Sequence, residues 1–201
     1  MKSNNKNNPD PFLLVEDNIS TLKSNINSLD AEGGTNTGDG LRRGYYQIVN
    51  NRSNTDFTDK EVSDYLIILV DGVSTFGSIT GKSPIEFFTS DGNIDERDWW
   101  RGNVEGLGND LDETYGTPYI EEIGNMITND GDINVYVIGF GENDTEFREN
   151  LNHIGQSTGA AETEEGNYYY LAGDEDELDI IFGDIQKEIL NELWYIDGPQ
   201  L

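Results

Sequence analysis

DYLIILVDGVSTFG, Asp64 to Gly77, is the stretch whose reading decides the fold. Leu66 to Val70 is an unbroken apolar run of five residues, too short for a globular helix. Such a run predicts a strand covered on both faces, as in the middle of a parallel sheet. It stops at Asp71-Gly72, which puts a carboxylate where the strand's carboxyl end meets a loop. In open α/β sheets ligands bind along that rim. A second polar cluster, Gly33-Gly34-Thr35-Asn36-Thr37-Gly38-Asp39-Gly40, lies one helix upstream and can be brought beside it.

Outward from this strand, apolar spacing predicts the other elements. Residues 1–11 are Asn-rich with two prolines and read as a disordered lead-in. Phe12 to Val15 is a short strand candidate. Asp17 or Asn18 can cap a helix to about Asp30, with Ile19, Leu22, Ile26 and Leu29 on one face. Thr35 to Gly40 reads as a polar loop, and the helix after it, to about Asn50, buries Leu41, Tyr45, Ile48 and Val49.

Residues 74–117 show no clean period and read as a long insertion loop, Gly-rich and acidic, carrying Phe87, Phe88, Trp99 and Trp100. Trp99-Trp100 can line the ligand face or simply anchor the loop. After Thr117-Pro118 a helix carries Tyr119, Ile120, Ile123, Met126 and Ile127, and a strand runs from Ile133 to Gly139. A helix follows over Asp144 to Ser157, then a strand at Tyr168 to Leu171 and a last helix from about Asp174 to Leu193. That helix sets Leu178, Ile181, Phe182, Ile185 and Ile189 on one stripe. Strand alternating with helix means an α/β domain with a largely parallel sheet, here over residues 12–193. Residues 194–201 read as a tail or the start of a linker.

Composition removes several function classes. The 201 residues hold no Cys and one His, His153, so thiolate zinc, His-cluster metals and Cys/His nucleophile pairs are out. A Ser-His-Asp triad would need His153, which the periodicity puts in a helix away from both clusters. Forty acidic residues against twelve basic ones give a formal charge of −28, the wrong field for nucleic acid or an anionic membrane. No apolar run approaches the roughly 18 residues of a membrane span, and the first residues do not open a signal peptide. An EF-hand at Asp91 to Asp95 fails, because the sixth position is Glu96 and the twelfth Gly102. A hydrolytic pair of Asp71 with Glu86 or Asp95 has little weight in a chain with forty acids, and the expectation is a protein that is not an enzyme.

Gly33-Gly34-Thr35-Asn36-Thr37-Gly38 before a helix, then an apolar strand ending in Asp71-Gly72, resembles the von Willebrand factor type A domain (vWA). Ile133 to Gly139, Asp144 to Ser157, and Tyr170-Leu171-Ala172 with Asp176-Glu177-Leu178 resemble later elements of the same family. The resemblance covers about residues 12–73 and 118–193. It implies a three-layer αβα, doubly wound, mostly parallel sheet of Rossmann-like type, lacking its first two strands. It also implies a metal-ion-dependent adhesion site for a divalent cation, usually magnesium (Mg2+). On that resemblance Thr35 matches the family's threonine ligand and Asp71 its aspartate ligand. The family's Asp-x-Ser-x-Ser loop is absent from the chain, so metal binding is expected to be weak or absent.

The implied function is a protein-binding or adhesion module with a remnant metal site, whose partner is a protein offering a carboxylate. The chain is then expected to be an N-terminally truncated piece of a larger secreted or envelope-associated bacterial protein, such as a pilus-associated one, at the cell surface or outside the cell. Two alternatives stand beside it: an intracellular vWA domain serving an assembly or chelatase-type complex, and a truncated fragment without function.

Overall fold

The computed structural model describes residues 15–28, 33–52, 63–79, 103–141 and 143–196. The lead-in, Phe12 to Leu14, Leu29, Glu86, the Phe87-Phe88 and Trp99-Trp100 pairs, Asp91 to Asp95 and residues 197–201 lie outside them.

Strand β4 (Ile133–Phe140) carries the fold, because its alternating side chains feed two separate cores. On one face Val135 and Val137 meet Tyr119, Ile120, Ile123 and Ile127 of helix α3 (Gly116–Asp130) and Phe147, Leu151 and Ile154 of helix α4 (Thr145–Thr158). On the other, Tyr136 and Ile138 meet Ile185 of helix α5 (Glu175–Ile196). Each such side chain, fully buried, contributes about 1.5–3 kcal/mol by leaving water.

Two strands flank β4, both parallel to it. β1 (Asp64–Val70) pairs from Asp64↔Ile133 to Val70↔Gly139, and β5 (Tyr170–Ala172) from Ile138↔Tyr170 to Phe140↔Ala172. The crossovers carry α3 and α4, as parallel pairing requires. Helix α2 (Thr37–Asn51) adds Leu41 to the larger core. An antiparallel pair, β2 (Phe76–Ile79) with β3 (Asn103–Gly106), stands apart from the parallel sheet. The chain is thus mixed α/β, with a small mostly parallel sheet and five helices among the described residues.

Several expectations need correction. β1 is not covered on both faces: it ends the three-stranded sheet, and Ile67 and Leu69 are 40% and 51% exposed. Their face is the one α5 serves, and α5 spends its apolar stripe on Tyr136, Ile138 and Tyr170. Val15 begins a helix, α1 (Val15–Asn27), rather than ending a strand, and Asn18 is a non-helical kink inside it rather than its cap. Ile19 and Ile26 of α1 are exposed, so the periodic stripe there faces water among the described residues. The polar loop is four residues shorter at its end than expected, since α2 begins at Thr37 and takes in Thr37 to Gly40. Residues 74–117 are not one loop; they hold β2, β3 and the start of α3. The last strand starts two residues later and ends one later than expected, and α5 runs on to Ile196, into the supposed tail.

Candidate functional site at the carboxyl rim of the sheet

β1 ends at Val70, and the chain then turns across the first residues before α2. Thr35 N–H donates to Thr75 Oγ1 at 2.7 Å, and the Thr35 carbonyl accepts from Thr75 N at 2.9 Å and Phe76 N at 3.0 Å. One residue on, Asn36 does two jobs. Its Oδ1 accepts from Asp39 N at 3.2 Å, capping α2, and its Nδ2 donates to Ser78 Oγ on β2 at 3.0 Å. Ser74 Oγ donates to Thr37 Oγ1 at 2.9 Å in a buried pair. The beginning of α2 is therefore fastened to the start of β2 by both main chain and side chains.

Gly34 lies close against the second segment. A β-carbon there would lie 2.5 Å from the Phe76 ring and from Thr75 Oγ1, and 2.7 Å from the Gly108 carbonyl. Asp112 closes the rim from the other side. Its N–H donates to the Ser74 carbonyl at 2.9 Å, while its Oδ1 accepts from Thr114 N and Tyr115 N ahead of α3.

Beneath the rim lies a buried polar network around Asp39 that the apolar spacing did not reveal. Arg42 is fully buried, and its Nε donates to Asp39 Oδ1 at 2.9 Å. Arg43 reaches the other carboxylate oxygen at 3.4 Å. Tyr119, also fully buried, has its hydroxyl pushed well above the ordinary phenol range, first by burial and then by the Asp39 charge, with Arg42 and Ser78 opposing. The signal was in the chain: Asp39, Arg42 and Arg43 stand three and four residues apart on one helix.

The two residues singled out for a metal do come to one rim. A β-carbon on Gly72, next to Asp71, would lie 3.8 Å from Thr35 Oγ1, and Asp71 is exposed there. Bringing them together does not make a magnesium site. Magnesium takes near-octahedral oxygen ligation from carboxylates and waters. Here the neighbouring hydroxyls of Thr37, Ser74 and Thr75 are engaged with one another or with the Thr35 main chain. Among the described residues no three acidic or histidine side chains are grouped to hold a metal. The donors present do not fit the ion. His153 sits on α4 beside Glu121, at 3.5 Å, away from this rim.

No family model and no curated protein matches the chain. Among solved structures it is similar to an aspartate-to-alanine variant of the PilB minor pilin from Streptococcus sanguinis, with TM-score 0.60 and 23% identity. The match covers 94% of this chain and 47% of that one, so the chain spans about half the length of that pilin. The two share a fold.

That outcome overturns the kinship with the von Willebrand factor type A family, and with it the metal-ion-dependent adhesion site and magnesium. The solved structure it resembles in fold is a minor pilin, and no family model supports the earlier resemblance. The residues that carried it have other work: Gly34 allows close approach, Thr35 fastens β2, and Asn36 caps α2. Short polar turns after apolar strands arise in any α/β sheet, and their order alone did not single out one family.

Proposed function

We propose that this chain is part of a pilus-associated protein at the cell surface, acting there through binding to other proteins rather than through catalysis. The observation that carries this reading is the fold it shares with a minor pilin over nearly all of its length. The strong acidity fits the reading, since a charge of −28 favours solubility in an ionic medium and disfavours nucleic acid. The rim chemistry fits as well, because its buried hydroxyls are committed to one another and to main chain rather than poised against a base. Among the described residues no helix is long and apolar enough to cross a membrane.

The test is immunogold labelling of intact native cells with antibodies raised against this chain, paired with fractionation. Labelling of the surface or of filaments is expected. Recovery of the protein only from the cytosol would overturn the proposal.

A further inference from the structure

Three Asp-Gly pairs fall among the described residues, Asp39-Gly40, Asp71-Gly72 and Asp130-Gly131, and the fold treats them differently. In such a pair the glycine nitrogen can attack the aspartate side chain, because no β-carbon screens it and the backbone turns freely. A hydrogen bond on the amide, or an ion pair on the carboxylate, holds the two apart. Asp39 is buried inside α2 and paired with Arg42 and Arg43, and the Gly40 amide donates to the Asn36 carbonyl at 3.3 Å. Asp130 is held by Arg52 and by the Tyr45 hydroxyl, and the Gly131 amide donates to the Ile127 carbonyl at 3.3 Å. Asp71 differs on both counts. Its carboxylate is exposed, and among the described residues neither it nor the Gly72 amide has a hydrogen bond or an ion pair. The pair lies between β1 and β2, outside any helix or strand. Nor does the fold require glycine at 72: its φ is not positive, and a β-carbon there would meet only Thr35 Oγ1, at 3.8 Å.

We propose that Asp71-Gly72 is a self-modification site, where the chain converts to isoaspartate through a cyclic imide while the other two pairs are protected. The Gly72 nitrogen bonds to Asp71 Cγ, and the carboxyl hydroxyl leaves as water with the amide hydrogen. Water then opens the ring at either carbonyl. Attack at Cγ restores aspartate. Attack at the main-chain carbonyl breaks the original peptide bond, so that the chain runs on through Cγ as isoaspartate. Nothing is oxidised or reduced, and water is the only co-reactant. The product lengthens the main chain just ahead of Ser74 and Thr75, the residues that fasten the start of β2 to Thr37 and Thr35. The step depends on local geometry and water rather than on a compartment, so it and the surface labelling can fail independently.

The test ages this chain, and the full-length protein purified from native cells, for several weeks at body temperature and neutral pH in heavy-oxygen water. Each passage through the ring leaves a heavy oxygen, which peptide mass spectrometry places in the sequence, and isoaspartyl methyltransferase tags the isoaspartate product. Labelling of Asp71 should exceed that of Asp39 and Asp130 several-fold in both preparations. Gly72→Ala puts a methyl group beside the attacking nitrogen and fits the open space there, so it should cut the labelling several-fold with an unchanged circular dichroism spectrum. In guanidinium chloride, where the folded surroundings are gone, the three pairs should label alike. Equal labelling of the three pairs in the native protein overturns the proposal, as does a Gly72→Ala variant that labels like the parent. So does a full-length protein in which Asp71 takes up no label, because the pair is then covered. A preference for Asp71 that persists in guanidinium chloride also overturns it, since the fold is then not what selects the site.

Discussion

Thr35 and Thr75 hold each other by reciprocal hydrogen bonds: the Thr35 amide donates to the Thr75 hydroxyl at 2.7 Å, and the Thr75 amide donates to the Thr35 carbonyl at 2.9 Å. Only the first of these depends on a side chain. Thr75→Val keeps the shape and removes the acceptor, leaving a partly buried N–H unpaired. A loss of about 1–3 kcal/mol in urea unfolding is expected, with Thr75→Ser losing less because it retains the hydroxyl. Equal stability of the valine variant and the parent would mean that the bond contributes nothing net.

Gly34→Ala should be at least as damaging, although one methyl group is all it adds. The new carbon meets the Phe76 ring and Thr75 Oγ1 at 2.5 Å and a main-chain carbonyl at 2.7 Å. The carbonyl cannot rotate away, so the start of α2 must back off from β2. Overpacking of this kind costs about 1–3 kcal/mol. Thermal unfolding measures it, and an unchanged melting temperature would show that the two segments separate freely.

These two sites show what was legible in the chain and what was not. Helices α3 and α4 and strand β4 could be read because their apolar residues recur at the period of the element that buries them: Tyr119, Ile123 and Ile127; Phe147, Leu151 and Ile154; Val135 and Val137. β1 misled because an apolar run does not say whether a neighbour covers its second face, and Ile67 and Leu69 are 40% and 51% exposed there. The pairing of β2 with β3 joins residues on either side of a gap in sequence too long for a hairpin turn to announce it. Gly33 to Gly38 misled for a chemical reason. Small polar residues that permit close approach and cap a helix look, one residue at a time, like residues that cradle an ion.

That distinction can be measured with magnesium itself. A micromolar site would raise stability by about 2.7 kcal/mol once the ion reached a hundred times its dissociation constant. The donors at Thr35 and Asp71 do not fit the ion, so the expected outcome is no rise in melting temperature on adding magnesium, and none on replacing Asp71 with Ala in its presence. A rise that Asp71→Ala removes would restore a metal site to this rim.

Tyr119 supplies a prediction on the alkaline side. Burial, helped by the Asp39 charge, holds its hydroxyl protonated in the native state well beyond the ordinary phenol value of about 10. The unfolded chain releases that proton near its usual pKa, so above about pH 10 the unfolded state binds fewer protons than the native one and stability falls as pH rises. The contribution is fully present below the unfolded pKa and is lost as pH climbs towards the folded one. Following tyrosinate absorbance with circular dichroism should show one of the ten tyrosines ionising only as the fold is lost. Tyr119→Phe should remove that late component and flatten the alkaline fall in stability, while Tyr45 and Tyr170, raised at less buried sites, stay in the titration. At neutral pH the same variant should lose about 1 kcal/mol, because the buried Arg42 and Ser78 beside it lose a polar neighbour. A phenylalanine variant that loses its tyrosinate amplitude near pH 10, with the late component intact, would place Tyr119 in contact with water and remove the buried network from beneath the rim.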